Sequence, residues 1–443
     1  MSKKPLTIGV VGLWHLGSVY AAGLAELGHQ VVGFDSDGSV VKKFAKGILP
    51  VSEEGLSQLT LKNIKAGRLE FTNSLQKLAL CDIVWITIDT PCDTHNLPNT
   101  SSILKLLSSL APLLSNDVSI IVSSQVPVGS GDMLRLRIQK ANPTLRFSYS
   151  YQPENLQLGK ARHSFFHPAR IVVGVETKET EALFESIFRN VDAPKLYMSV
   201  PSAEMVKHAV NAFLATSLSF IYDISDMCEV FGADVLRVSE ALKSDLRIGK
   251  SAYLDSSIGF SGATLGRDLS VLVDRSREKN VLLPVIAGAR LKNEKRWQMA
   301  LPILKKELGD LSKVTIGFLG IAYKPGTSTV RDSLSLKLMR TLSPLAKEIC
   351  AHDPLVPKEA VLAAGPYRFC SDPYKLAQGS SALILMTAWP EYSKLDFKRI
   401  RQSMKGPKLF FDAKNALWQE EARITAAGLR YIGIGRGRTK VTS

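Results

Sequence analysis

The sequence predicts an α/β protein in which two Rossmann-like, doubly wound parallel-sheet domains are joined by a central all-helical region. Three observations carry this. Short β-branched runs alternate with helical stretches early in the chain, strand signals fade between about 202 and 308, and the alternation then returns. A chain of 443 residues exceeds the size at which one core keeps growing, so two or three domains of about 100–200 residues are expected. The boundaries read as 1–201, 202–308 and 309–443.

Residues 7–13 (Thr-Ile-Gly-Val-Val-Gly-Leu) form a strand-like run reaching Gly12, and 18–28 follow helical periodicity to a glycine stop. Gln30 to Phe34 then closes on Asp35, so the opening is a β-α-β unit. Further strands are expected at 83–88, 118–123 and 170–173. The middle carries long helical patterns at Ala203 to Phe231 and Leu282 to Leu308, broken by a Gly-rich segment at 257–266. Beyond it come strands at Val314 to Leu319, Glu348 to Ala351, Ala382 to Met386 and Lys408 to Phe411, with a helix at 333–347. No repeat and no low-complexity tract interrupts the pattern.

A composition of 45% hydrophobic and 22% charged residues is ordinary for a globular chain. No apolar run approaches the roughly 20 residues needed to cross a bilayer, so no membrane partner is expected. The basic start followed by Ile8 to Leu13 has the outline of a leader, but Trp14, His15 and Gly17 interrupt it and no small-residue cleavage site follows. Five cysteines, odd in number, scattered and never in C-x-x-C spacing, argue against a disulfide framework or a metal site and for a reducing cytoplasm. The net charge of +15 favours anionic ligands. The basic residues are dispersed, with only Arg436, Arg438 and Lys440 locally dense, which speaks for phosphate-bearing small molecules over nucleic acid.

Gly12-Leu13-Trp14-His15-Leu16-Gly17 occupies the strand-to-helix turn where a G-x-G-x-x-G fingerprint would bind a dinucleotide, and Asp35 follows about 20 residues on. The fingerprint's first glycine makes the turn, its second admits the pyrophosphate and its third lets the helix pack. Here the second is Trp14, whose indole either crowds the pyrophosphate or is turned aside. Asp35 is placed to accept from a ribose diol and to repel a 2′-phosphate, which favours NAD over NADP; a turn-forming acid after a strand is the plainer account of the same residue.

Collinear motifs extend over nearly the whole chain. Gly28-His29-Gln30-Val31-Val32-Gly33-Phe34-Asp35 is followed by Glu54-Gly55-Leu56, Thr90-Pro91, Val126-Pro127-Val128-Gly129, Pro153-Glu154 and Gly159-Lys160-Ala161. Then come Ala203-Glu204-x-x-Lys207-x-x-x-Asn211, the run Gly259 to Asp268, Gly320 to Thr327, Val330-Arg331-Asp332-Ser333 and Asp412-Ala413-Lys414-Asn415. In these motifs the chain resembles the UDP-glucose/GDP-mannose dehydrogenase family. The resemblance implies NAD-dependent oxidation at C6 of the sugar in a nucleotide sugar, most simply a UDP-sugar, by a homodimer formed through the central helices. It gives Lys207 and Asn211 the work of handling the alcohol proton and the developing oxyanion, with Glu154 and Asp268 in support. Without it, Lys207 would be a solvated helix charge, Glu154 a loop acid and Asp268 a helix N-cap.

The resemblance also assigns Gly12, Trp14, His15, Leu16, Gly17, Asp35, Thr90 and Arg331 to the cofactor, and Arg247, Gly259, Phe260, Gly262, Lys324 and Lys414 to the nucleotide sugar, Arg247 reaching it from a neighbouring subunit. The chain departs from the family where the chemistry is done. Thr264 stands at the nucleophilic cysteine that traps the aldehyde for the second oxidation, Gln125 replaces a threonine, Leu158 a glutamate, Ala388 the glutamate of T-E-W, and Ser328-Thr329 an acidic pair. An aliphatic hydroxyl is a weak nucleophile without a dedicated base. Three readings follow: a 6-dehydrogenase, a two-electron or redox-neutral enzyme that stops at the aldehyde, and a non-catalytic nucleotide-sugar-binding protein.

Overall fold

A computed structural model describes residues 5–51, 53–91, 98–154, 156 and 159–437. Leu158, Arg438 and Lys440, named above, and Cys92, one of the five cysteines, lie outside them. The described chain divides into two compact units, 1–210 and 211–443.

The first unit is built on eight strands: β1 (Thr7–Val11), β2 (Gln30–Phe34), β3 (Leu69–Thr72), β4 (Ile83–Ile86), β5 (Val118–Val122), β6 (Phe147–Tyr151), β7 (Ile171–Gly174) and β8 (Lys195–Met198). Their spatial order is β3-β2-β1-β4-β5-β6-β7-β8. Every pairing is parallel except that of β6 with β7. The order reverses between β1 and β4, and at such a switch point the loops leaving the two strands part and open a crevice. Strands in this setting are buried on both faces. Ile8, Val10, Ile83 and Trp85 face one apolar layer while Val11, Val84 and Ile86 face the other, as the two-residue side-chain period requires.

The second unit holds six strands, β9 (Thr315–Leu319), β10 (Glu348–His352), β11 (Arg368–Phe369), β12 (Ala382–Leu385), β13 (Leu409–Asp412) and β14 (Arg430–Gly433), in the order β11-β10-β9-β12-β13-β14 and all parallel. Its helices include Val235–Ser244, Ala263–Glu278, Pro284–Arg296 and Ala300–Leu308. The fold class read from the sequence is the one observed.

One helix, Val200–Phe231, runs from the first unit into the second. Ala203, Glu204, Lys207, His208, Asn211, Ala212 and Ala215 are buried along it, at the three- and four-residue spacing of a single helical face.

Three boundaries differ from expectation. The Gly-rich break ends at Gly262, which caps the helix Ala263–Glu278. Thr264 and Asp268 are therefore helical, and Asp268 lies in the helix interior, not at its N-cap. The pattern read as one helix from Leu282 to Leu308 is two, separated by a 3-10 turn at Trp297–Met299. Finally, the helix expected at 333–347 stops at Leu342. Among the described residues no helix is long and apolar enough to cross a membrane.

Candidate active site

In the first unit, Gly12 leaves β1 with φ +99°, and a Cβ there would stand 2.9 Å from the Ile88 Cα. A Cβ on Gly17 would overlap the Gly12 carbonyl oxygen. The turn and the close helix approach thus each demand glycine, as the first and third fingerprint positions do. Trp14 between them takes an extended conformation (φ −97°) open to any residue, and it caps the helix His15–Glu26. A cavity of about 1100 Å³ opens here, lined among others by Gly12, Trp14, Asp35, Lys43, Asp89 and Lys105. Trp14 is 52% exposed and borders this space without closing it. Asp35 accepts from the Leu13 amide at 3.0 Å and from the Asp37 amide at 3.0 Å, which fixes its carboxylate at the end of β2. Leu16 packs against the core. Thr90 is buried and donates to the Gln125 carbonyl at 2.7 Å, tying the loops after β4 and β5. Arg331 belongs to the second unit and is exposed.

Also in the first unit, Lys207 Nζ donates to the Glu154 carboxylate at 2.8 Å and to the Glu154 carbonyl at 2.9 Å. Burial opposes ionisation of Glu154, but the Lys207 charge and hydrogen bond, the Leu156 amide and the nearby His15 outweigh it and hold the carboxyl below its ordinary range. The chain thus keeps a cation and its counter-anion together. Glu204, one turn earlier, is fully buried and accepts from the Gly129 and Gly131 amides at 2.6 and 2.9 Å. It braces the long helix against the N-terminus of the helix Ser130–Ala141.

In the second unit, the Asn211 amide donates to the buried Asp268 carboxylate. Thr264, one turn before Asp268, is exposed in the first turn of its helix. The preceding loop is pinned from several sides. Arg296 donates to the Ser257 carbonyl at 2.6 Å, Asn293 both accepts from the Phe260 amide (2.8 Å) and donates to its carbonyl (3.2 Å), and Lys414 Nζ donates to the Gly259 carbonyl at 2.8 Å. A Cβ on Gly262 would meet the Tyr323 ring at 2.7 Å. Gly259, Phe260, Gly262 and Lys414 therefore come together, beside the loop after β9 that bears Lys324. Burial pushes the Lys414 ammonium down to about 8, against the pull of Asp412. Asp353 organises the loop after β9 by accepting from the Ile321 and Ala322 amides at 2.7 and 2.9 Å. The Arg247 side chain is 89% exposed and paired to Asp245 at 2.7 Å.

The four described cysteines are buried, and burial raises each thiol, Cys81 to about 11 and Cys350 to about 12. None of them is a ready nucleophile.

Three family models match in order along the chain. The UDP-glucose/GDP-mannose dehydrogenase family's NAD-binding domain covers residues 6–192, its central domain 201–295 and its UDP-binding domain 317–419. The chain belongs to the UDP-glucose/GDP-mannose dehydrogenase family. Among relatives, the UDP-glucose 6-dehydrogenase TuaD of Bacillus subtilis is 31% identical, over 98% of this chain and 94% of its own. The UDP-glucose 6-dehydrogenase YwqF of the same organism is 32% identical, over 97% and 98%. A solved UDP-glucose dehydrogenase from Pyrobaculum islandicum superposes with a TM-score of 0.89 at 28% identity, covering 99% of each chain. Members of this family are NAD-dependent nucleotide-sugar dehydrogenases, oxidoreductases acting on CH–OH, and this chain carries both of the family's nucleotide-binding domains. The glycine cradle at Gly12 and Gly17 and the cavity beside Asp35 fit NAD.

Two residues that build the site carry no motif of their own. Asn293 and Arg296 hold the loop at 257–260 through backbone groups, which no sequence spacing discloses; Asp353, by contrast, belongs to an Asp353-Pro354 pair that matches the family. Glu204 stands in the Ala203-Glu204-x-x-Lys207 motif, but its bond to the Gly129 and Gly131 amides joins segments more than 70 residues apart, which nothing in the sequence couples.

Proposed function

We propose that this chain oxidises C6 of a UDP-sugar, UDP-glucose foremost, by hydride transfer to NAD. The observation that carries the reading is a pair of donors one turn apart on one helix, each held by its own carboxylate: Lys207 by Glu154 and Asn211 by Asp268. Residues four apart lie on the same helical face. An ammonium and an amide so placed serve one substrate oxygen, stabilising the charge that develops as the alcohol proton leaves and hydride departs. Bound NAD supplies the hydride acceptor; Gly12, Trp14, His15, Leu16, Gly17, Asp35, Thr90 and Arg331 are the residues assigned to hold it. Arg247, Gly259, Phe260, Gly262, Lys324 and Lys414 are assigned to the nucleotide sugar.

Thr264 favours a second reading, in which oxidation stops at the aldehyde. Its exposed hydroxyl sits in a helical turn with no bonded base among the described residues, so capture of the aldehyde as a covalent adduct is disfavoured. Counting NADH per UDP-glucose consumed, with aldehyde and uronic acid assayed after the reaction is quenched, decides between them. Two NADH per sugar means the acid is reached through the hydrated aldehyde, and one means arrest at the aldehyde. No net NADH with NAD bound means a redox-neutral reaction, and binding of UDP-glucose without binding of NAD overturns both and leaves a nucleotide-sugar-binding protein. Lys207→Ala abolishes turnover on this reading, and retained turnover removes Lys207 from the chemistry.

The same reading makes 1–201 the NAD-binding domain, 202–308 the dimerisation region and 309–443 the nucleotide-sugar domain. A homodimer is supported by Phe213, Phe220 and Met227, exposed at seven-residue spacing on the long helix, and by Arg247, whose side chain stands in solvent. The four free described cysteines support a cytoplasmic setting.

A further inference from the structure

Glu53 lies outside every motif used above, in the turn before the helix Leu56–Lys65, yet its side chain is only 1% exposed. Oε1 accepts from the Gly159 amide at 2.8 Å and lies 2.8 Å from His15 Nε2, while Oε2 accepts from the Ala161 amide at 3.1 Å. Against a carboxylate, His15 Nε2 must carry the proton. Burying a carboxylate is costly unless such donors satisfy it, and here the donors come from two segments far apart in sequence. The turn itself is fitted to them. Gly55 has φ +70°, and a Cβ there would meet the Arg162 guanidinium at 2.9 Å, so 53–55 and 159–162 interlock.

Each side of this junction leads to a functional element. His15 opens the helix that follows Trp14, at the edge of the dinucleotide cavity. Gly159 follows Glu154, which holds the Lys207 ammonium, by five residues. His15 also contributes to the field that keeps Glu154 ionised.

We propose that Glu53 is a positioning residue for the reaction: it locks Gly159 and Ala161 to the dinucleotide-binding turn and thereby fixes where Glu154 holds Lys207. The inference rests on the reading of Lys207 as catalytic. In Glu53→Gln one amide oxygen replaces two carboxylate oxygens, and the NH2 group faces backbone N–H donors.

The test uses the full chain and three readouts. With saturating NAD and UDP-glucose, Glu53→Gln lowers kcat by about tenfold or more, the scale of a small misplacement of reacting groups. The Kd for NAD, read from tryptophan fluorescence, stays within about threefold, so the loss lies in chemistry and not in uniform binding. Acetylation of Lys207 by an amine-reactive ester, followed by peptide mass spectrometry, speeds up by about fivefold as the lysine is released from its anchor. His15→Phe, which removes one donor only, lowers kcat and speeds Lys207 acetylation as Glu53→Gln does, and His15→Gln recovers part of both. His15→Phe carries the comparison if Glu53→Gln does not fold.

A fall in melting temperature with Lys207 acetylation unchanged overturns the proposal, as does unchanged kcat in Glu53→Gln. The acetylation rate does not depend on turnover. If Lys207→Ala retains activity, the catalytic assignment of Lys207 fails separately, and acetylation in Glu53→Gln still reports whether Glu53 positions it.

Discussion

Two side chains decide how far the chemistry runs and how it responds to pH. Thr264 lies in the first turn of the helix Ala263–Glu278, where the helix dipole lowers the pKa of a thiol. Thr264→Cys is therefore expected to carry a reactive thiolate at neutral pH and to accelerate formation of the uronic acid. The measurements are the rate of iodoacetamide labelling at that position and the yield of acid per sugar. A labelled thiol with no gain in acid would mean that the surroundings, Gln125 and Ala388 included, have also lost the second step. Lys414 governs pH dependence. Its ammonium, pushed down to about 8 by burial, is charged below that pH and neutral above it, so attraction for an anionic substrate weakens as pH rises through 8. KM for UDP-glucose is expected to climb there by up to about tenfold per pH unit, and Lys414→Arg, charged throughout, is expected to flatten the rise. A pH-independent KM in the unsubstituted enzyme would separate Lys414 from the substrate.

At the level of elements, the brace between the long helix and the helix Ser130–Ala141 isolates one contribution to stability. Glu204 satisfies two amides at that N-terminus. Glu204→Ala leaves the buried Gly131 amide and the part-buried Gly129 amide without their acceptor, at a cost of about 2 kcal/mol, which lowers the first unit's unfolding temperature by roughly 6 °C. Glu204→Gln is expected to lose nearly as much, because its NH2 faces one of the donors; calorimetric melting with full recovery in Glu204→Gln would show that a single acceptor suffices. Legibility of the elements follows the same physics. β1, β2, β4, β5 and β9 were readable because both their faces are apolar. β6 was not: it reads Phe-Ser-Tyr-Ser-Tyr, and its buried Tyr149, Ser150 and Tyr151 look polar in one dimension. Strand β8 is half-exposed, and β11 has two residues. Within the candidate site, Gly12, Gly17 and Asp35 could be located from spacing and Lys207 and Asn211 through family motifs. Their carboxylate partners could not be paired with them, because Glu154 precedes Lys207 by 53 residues and Asp268 follows Asn211 by 57, and nothing local couples such positions.

For the whole molecule the open face of the long helix is decisive. A helix of 32 residues is about 48 Å long, and Phe213, Phe220, Met227, Val230 and Phe231 are exposed along it, Phe213 to 72%. Exposed aromatic residues at heptad spacing are the pattern of a helix that packs on another helix, and a second copy presents the same stripe, as a two-fold interface requires. The chain is expected to sediment as a dimer at micromolar concentration. Phe220→Asp places a charge in the middle of that stripe and is expected to give monomers with unchanged secondary structure by circular dichroism. The consequence for activity follows from Arg247, whose side chain stands in solvent and pairs with Asp245. If the partner copy uses it, monomeric Phe220→Asp loses turnover, and Arg247→Ala lowers turnover without altering the sedimentation coefficient. Mixing Arg247→Ala with Lys207→Ala then restores activity, since one of the two mixed sites draws both residues intact, one from each chain. Absence of complementation in such mixtures, with dimers confirmed by sedimentation, would assign Arg247 to its own surface and leave the dimer a purely structural arrangement.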